Sequence, residues 1–192
     1  MLNSLGNDRP LHLVGLSQGA PIAAAYANHY PDRVASITLI DPLISPVKPK
    51  TILPMNVPLL GDYFARVILI PHILPKLQAG DFYQPDNFPA WENKFRDQMQ
   101  YEGFAGAMLS SIRGLPSIDP LVEYKNISRN QFPFLLIWGR EDQSIPYNDI
   151  ETLVNIAPNV ELHIIENAGH LPHFEQPGIV NPILVSFLTE LQ

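Results

Sequence analysis

The chain has 192 residues, of which 46% are hydrophobic and 16% are charged, so it can bury a sizeable core and does not belong to the disordered class. Its net charge of −7 argues against a surface that binds nucleic acid or anionic membranes, because both need clustered Lys and Arg. The absence of cysteine excludes disulfides, a thiolate nucleophile and a cysteine-ligated metal site.

The first ten residues lack the basic segment and apolar run of a signal peptide. The longest apolar region, residues 57–74, is interrupted by charged residues and prolines. The sequence therefore predicts no membrane span, and the cytoplasm is the default expectation for its location.

Strands alternate with helices on both sides of a proline-rich middle region. The predicted strands are residues 11–16, 34–40, 132–138 and 160–165. The predicted helices are residues 20–29, 147–156 and 179–191, with residues 1–6 as the end of an earlier helix. This alternation predicts a parallel sheet with right-handed crossovers.

The middle region is predicted to be an insertion. Of the 20 prolines, 11 lie between residues 42 and 120, and proline breaks both helix interiors and central strands. Helical pieces are predicted at residues 62–70, 90–100 and 104–112. Because open α/β sheets bind ligands at the carboxyl ends of their strands, we interpret the insertion as a cap. The predicted organisation is core at 1–42, helical cap at 43–130 and core at 131–192.

A candidate nucleophile lies directly after the first predicted strand. Residues 15–19 read Gly-Leu-Ser-Gln-Gly, which is the G-x-S-x-G pattern between a strand and a helix. This setting places Ser17 on a sharp turn that lifts its hydroxyl above the sheet. Side chains at Gly15 and Gly19 are expected to collide with the adjacent strand and helix. The backbone N–H of Gln18 is the candidate oxyanion donor.

A serine nucleophile needs a base, and the sequence offers His170 on the loop after the fourth predicted strand. This loop is expected at the same edge of the sheet as Ser17. His173 is a nearby competitor. The other histidines are interpreted as packed or solvated side chains: His12, His29, His72 and His163.

The base needs an orienting carboxylate, and Asp142, after the third predicted strand, is the candidate. Two rivals remain. Glu141 is adjacent in sequence, and Asp41 follows the second predicted strand. We interpret Asp41 as a turn residue before Pro42.

The order Ser17, Asp142, His170 is the order found in α/β-hydrolases. Residues 30–34 and 138–142 also resemble that family, as do residues 168–177, in which Glu and Pro follow the histidine. The resemblance covers residues 1–42 and 131–192. It implies a three-layer α/β-hydrolase fold with a mostly parallel sheet and a helical cap. It also implies hydrolysis of a carboxylic ester or related acyl bond through an acyl-enzyme, without cofactor or metal.

The resemblance also implies an N-terminally truncated fold. Members of the family have earlier strands, roughly 70 to 100 residues by ordinary element and loop lengths, and a loop that supplies the second oxyanion N–H. We therefore expect a free apolar strand edge that promotes self-association, and little turnover from this chain alone. The alternative hypothesis is a catalytically inactive fragment or ligand-binding protein of the same fold.

The middle region contains many large apolar side chains, which help to predict the class of substrate. We expect most of them to pack the cap helices onto the core. Together they favour a small apolar ester-like substrate over a strongly charged one. They are Phe64, Phe82, Tyr83, Phe88, Trp91, Phe95, Met99, Tyr101, Phe104 and Met108.

Overall fold

The computed structural model describes residues 9–48, 53–130 and 132–190. The predicted helix end at residues 1–6 lies outside them. The contacts divide the chain into two units, one formed by residues up to Ile44 together with those from Pro120 onward, and the other by Ser45–Asp119.

A four-stranded parallel sheet forms the centre of the first unit. Its strands are β1 (Leu11–Leu16), β2 (Val34–Ile40), β3 (Phe134–Gly139) and β4 (Glu161–Ile165), and they lie side by side in that order. The predicted α/β fold is confirmed: β1 and β2 have the predicted bounds, and the ends of β3 and β4 differ from them by at most two residues. Strand β3 begins after Pro133, which has no N–H to give to a strand ladder.

Helices cover both faces of this sheet, which gives three layers. They are α1 (Gly19–His29), α7 (Pro120–Arg129), α8 (Ile150–Ile156), α9 (Pro172–Glu175) and α10 (Pro177–Thr189). One face packs Leu39, Leu136 and Trp138 against α1, α7 and α8. The other face packs Ile137 and its neighbours against Val180 of α10. The alternation of side chains along each strand thus feeds two apolar clusters.

Helix α7 differs from the prediction, which placed residues 120–129 inside the insertion. The helix lies with the first unit, where the Tyr124 hydroxyl donates to the Leu43 carbonyl at 2.7 Å. The Asn28 amide of α1 donates to the Glu123 carboxylate at 2.6 Å. Only one side of this helix is buried, through Pro120, Tyr124 and Ile127, and the local sequence does not show which unit that side packs against.

The second unit is helical, as its proline content suggested. It contains α2 (Leu53–Asn56), α3 (Leu60–Phe64), a π-helical segment (Ala65–Ile73), α4 (Leu74–Ala79), α5 (Trp91–Gln98) and α6 (Phe104–Gly114). Residues 62–70 were predicted as one α-helix, but the helix widens to π geometry at Ala65, and Pro71 lies inside that segment. Because Pro71 lacks an N–H, it cannot make the regular α-helical hydrogen bond.

Ion pairs and ring contacts hold the second unit together. Arg113 of α6 donates to the Met55 carbonyl and to the Asp62 carboxylate at 2.9 Å. The Phe82 ring stacks on Phe88 at a centroid distance of 4.2 Å. Short helices of this kind depend on such tertiary contacts, since few of them would be stable alone.

Within the part of the chain that the structure describes, no helix has both the length and the apolar character needed to cross a bilayer.

Candidate active site

Ser17 occupies a strained turn between β1 and α1. Its backbone φ of 51° lies in the left-handed region, which residues other than glycine rarely adopt. The Ser17 N–H donates to the Ile40 carbonyl at 3.0 Å, and the Ser17 carbonyl accepts from the N–H groups of Ala20 and Leu43, both at 3.1 Å. These three hydrogen bonds hold a conformation that would otherwise relax. The turn therefore presents the half-buried Ser17 side chain at the carboxyl edge of the sheet.

The two glycines of the G-x-S-x-G pattern have different surroundings. A Cβ at Gly15 would lie 2.6 Å from the Gly19 carbonyl oxygen and 2.7 Å from the Ala20 Cα, so no side chain fits there. A Cβ at Gly19 would meet nothing within 4 Å among the described residues. The expected collision is confirmed for Gly15 and wrong for Gly19, because Gly19 already lies in the first turn of α1 and its Cβ position is open.

This difference predicts that Gly15→Ala destabilises the fold, whereas Gly19→Ala does not. Overpacking against backbone atoms costs about 1–3 kcal/mol, since α1 would have to move away from β1. Alanine at Gly19 is favourable for a helix and should leave stability equal or slightly higher. Urea unfolding of both variants measures this, with Gly19→Ala as the matched control. Equal midpoints for the two variants would contradict the packing at Gly15.

Asp142 and His170 form a buried pair. The Asp142 Oδ2 lies 2.7 Å from the His170 Nδ1, and the two residues are 6% and 7% exposed. The other carboxylate oxygen, Oδ1, accepts the backbone N–H groups of Ser144 at 2.7 Å and Ile145 at 3.0 Å. With Nδ1–H donating to the carboxylate, the Nε2 of His170 is left as the proton acceptor.

The rival acid and the rival base take other positions. The Glu141 carboxylate accepts the Ala168 N–H at 3.0 Å, so it fixes the loop that carries His170. The Nδ1 of His173 is buried and has no hydrogen-bond partner among the described residues. Burial, followed by the nearby His170, lowers the pKa of His173. The structure therefore brings together Asp142 and His170.

Further contacts fix the loop before His170, and sequence reasoning had given none of these residues a positioning role. The Glu175 carboxylate accepts the Gly169 N–H at 2.6 Å. The Gln176 side chain donates to the Asn167 carbonyl at 3.0 Å, and Asn167 has a φ of 57°. A carboxylate on each side of the loop was visible in the sequence as Glu141 and Glu175, but only the fold shows which N–H groups they accept.

The candidate residues share one edge of the sheet. Ser17 follows β1, Asp142 comes three residues after the end of β3, and His170 comes five residues after the end of β4. Because all four strands are parallel, their carboxyl ends meet at this edge. The Gln18 N–H lies at the N-terminus of the eleven-residue helix α1, where backbone N–H groups lack partners within the helix.

The side chain of Asp41 is buried, which its interpretation as a turn residue did not predict. Its φ of 39° fits a turn, but its side chain is 0% exposed, and its Oδ1 accepts the Gly139 N–H at 2.8 Å. One oxygen each of Asp41 and Asp142 and a ring nitrogen of His170 lie within 4.8 Å of one another. Side chains of these types can bind metal ions, but the Nδ1 of His170 is engaged by Asp142, so we interpret the group as a hydrogen-bonded cluster.

Comparison with known proteins places this architecture in a family. Residues 1–177 match the family model described as alpha/beta hydrolase fold. The chain belongs to the alpha/beta hydrolase family. Among solved structures, a thermophilic esterase from Thermogutta terrifontis has a TM-score of 0.79 at 23% identity, and the match covers 99% of this chain and 68% of that one. At that identity the likeness shows the fold.

Curated relatives of this alpha/beta hydrolase carry the names of hydrolases. Monoacylglycerol lipase abhd6-B of Xenopus laevis is 26% identical over 201 residues, which cover 100% of this chain and 58% of the relative. The 2-hydroxy-6-oxononadienedioate/2-hydroxy-6-oxononatrienedioate hydrolase 2 of Pseudomonas putida is 24% identical over 193 residues, which cover 98% of this chain and 65% of the relative. The chain therefore spans 58% to 65% of the length of these two relatives.

Proposed function

We propose that the protein is a serine hydrolase that cleaves a carboxylic ester or related acyl bond through an acyl-enzyme. The observation that carries the proposal is the buried 2.7 Å contact between Asp142 and His170, at the sheet edge where Ser17 occupies its strained turn. A carboxylate that fixes an imidazole beside a serine on a strand-to-helix turn is the arrangement that activates a hydroxyl.

The proposed reaction has two halves. The Ser17 Oγ attacks the carbonyl carbon while the Nε2 of His170 takes its proton, and the same proton then goes to the departing alcohol. Water then attacks the acyl-enzyme and gives a proton to His170, and His170 returns that proton to the Ser17 Oγ as the acid product leaves. Asp142 holds the imidazole in the required tautomer and stabilises the imidazolium in both halves.

Negative charge develops on the carbonyl oxygen in each half. The Gln18 N–H, at the start of α1, is the proposed donor to that oxygen. A donor in this position gains from the helix dipole, whose positive end faces the turn.

The charges around the site favour a neutral substrate. The carboxylates of Asp142 and Glu175 lie in or beside the cluster, and the loop after β3 also carries Glu141. The Arg140 guanidinium is bound to Glu166 at 2.7 Å and lies over the Tyr147 ring, so its charge is already compensated. An anionic substrate would meet a negative local potential.

This charge pattern predicts a higher kcat/KM for neutral apolar acyl or aryl esters than for anionic esters. The test is a panel of aryl esters matched in chain length, with and without a terminal carboxylate on the acyl group. The assay uses the purified chain, with the Ser17→Ala variant as the background. A clear preference for the esters with a terminal carboxylate would contradict the prediction. It would favour a substrate of the type named for the Pseudomonas putida relative.

A ligand-binding protein without catalysis is the second candidate. The triad residues do not separate the two candidates, but the release of aryl alcohol from an aryl ester does. A hydrolase releases aryl alcohol over many turnovers, whereas a binding protein releases none above the uncatalysed rate. Saturable binding of the ester with no release of aryl alcohol would favour the second candidate.

Strand β1 is proposed as a site of self-association. Among the described residues it pairs with β2 only, and Val14, which lies on it, is 53% exposed. An exposed apolar edge invites pairing with another chain, and lysine on an edge strand prevents it. We expect concentration-dependent oligomers that Val14→Lys reduces and Val185→Lys, at a 60% exposed position of α10, does not. Sedimentation velocity measures this, and a monomeric unmodified chain would contradict the prediction.

A further inference from the structure

The proposed catalytic mechanism does not use the buried carboxyl group of Asp41. This side chain is 0% exposed. Among the described residues, no N–H or hydroxyl group donates a hydrogen bond to its Oδ2. Its Oδ1 accepts one N–H, from Gly139. A buried ionised carboxylate with one donor would be costly, because the lost hydration is not replaced.

The neighbour of Asp41 is better suited to carry the negative charge. The Asp142 carboxylate accepts three donors, the Nδ1–H of His170 and the N–H groups of Ser144 and Ile145. Hydrogen bonds to the charged form of a carboxyl group stabilise that form. One carboxyl oxygen of Asp41 and one of Asp142 lie within 4.8 Å of each other, and two buried carboxyl groups that close do not both ionise. The group that accepts fewer hydrogen bonds is the one that keeps its proton.

The charged and titratable groups around Asp41 agree with this assignment. They come from three elements: Asp142 on the loop after β3, His170 on the loop after β4, and Glu175 at the end of α9. Burial, followed by the charge of Asp142, raises the pKa of Asp41 well above its usual range, and the Glu175 charge acts in the same direction.

We propose that Asp41 is a positioning residue that stays protonated at neutral pH and donates a hydrogen bond from its carboxylic acid to the carboxylate of Asp142. The inference rests on the proposed function, since its effect on catalysis passes through Asp142 and His170. The result is a chain of three side chains in which Asp41 orients Asp142 and Asp142 orients the imidazole. A neutral Asp41 also adds no second negative charge beside His170.

The protonation state can be measured without any substrate. Infrared spectra of the folded chain should show the carbonyl band of a protonated carboxylic acid at pH 7, shifted in D₂O and missing in Asp41→Asn. In Asp142→Asn the neighbouring charge is gone, so the same band should disappear at a lower pH than it does in the unmodified chain. A spectrum without such a band at pH 7 would overturn the proposal. Because this readout needs no hydrolysis, its result stays separate from the fate of the proposed function.

Kinetics then test the positioning role. Asparagine can copy a protonated Asp41, with its Oδ1 accepting from Gly139 and its amide donating to Asp142, whereas leucine fills similar space and does neither. We expect Asp41→Asn to keep kcat within about threefold of the unmodified protein and Asp41→Leu to lower kcat by about 10- to 100-fold at similar KM. Circular dichroism confirms that both variants fold.

The pH profile separates a neutral Asp41 from an ionised one. With a neutral Asp41, Asp41→Asn leaves the acid limb of kcat/KM at the same pH, because no charge beside His170 is removed. With an ionised Asp41, the same change would move that limb to lower pH by about one unit or more. A shift of that size, or equal losses in the asparagine and leucine variants, would overturn the proposal.

Discussion

Replacing Ser17 with Ala is expected to lower kcat for an aryl ester by about 10⁶, in a preparation that hydrolyses it. The methyl group cannot attack the carbonyl, so only background acceleration by the remaining groups survives. Alanine keeps the backbone hydrogen bonds of the Ser17 turn to Ile40, Ala20 and Leu43, so the fold should be retained.

The matched control for this change is Ser186→Ala. Ser186 is an exposed serine of α10 that bonds Glu190 at 3.0 Å, away from the sheet edge that carries the candidate site. Its loss should leave kcat unchanged. Steady-state assays of both variants, with circular dichroism as the folding check, decide the matter. Undiminished turnover in Ser17→Ala would remove the proposed nucleophile.

Replacing Asp142 with Asn is expected to lower kcat by as much as about 10⁴. The amide N–H₂ would donate to the Nδ1 of His170, which moves the ring proton to Nε2. The nitrogen that should take the Ser17 proton would then already carry one.

Asp41→Asn is the control for Asp142→Asn, because it makes the same chemical change in the adjacent carboxyl group. Little loss is expected there. A large loss in Asp41→Asn with activity retained in Asp142→Asn would move the orienting acid from the end of β3 to the end of β2. Both variants also need equal folding by circular dichroism.

Signals local to the chain predicted much of the fold and of the candidate site. The G-x-S-x-G pattern lies on the predicted strand-to-helix turn, and the short apolar runs became the four strands. Asp142 and His170 were chosen as candidates because each follows a strand, and parallel strands end at one edge. These features depend on residues close together in sequence, which is why the sequence reveals them.

Features that depend on distant partners were not predicted. The Asp41 carboxyl is buried beside Gly139, which is 98 positions away, and nothing in residues 39–42 distinguishes it from an ordinary turn. Helix α7 was assigned to the insertion because its packing on Leu43 and Asn28 is likewise long-range. Pro71 is a local reason for the π-helical segment, because it cannot donate a helical hydrogen bond. The sequence does not show which groups pair with the carbonyls that lose this donor.

Covalent labelling with a fluorophosphonate, followed by peptide mass spectrometry, tests the central claim most directly. The probe reacts with a serine whose hydroxyl is activated by a neighbouring base, and it needs no knowledge of the natural substrate. We expect one modified serine, Ser17, with labelling abolished in Ser17→Ala and strongly slowed in Asp142→Asn. Labelling at another serine, or labelling of the Ser17→Ala protein at the rate of the unmodified protein, would contradict it.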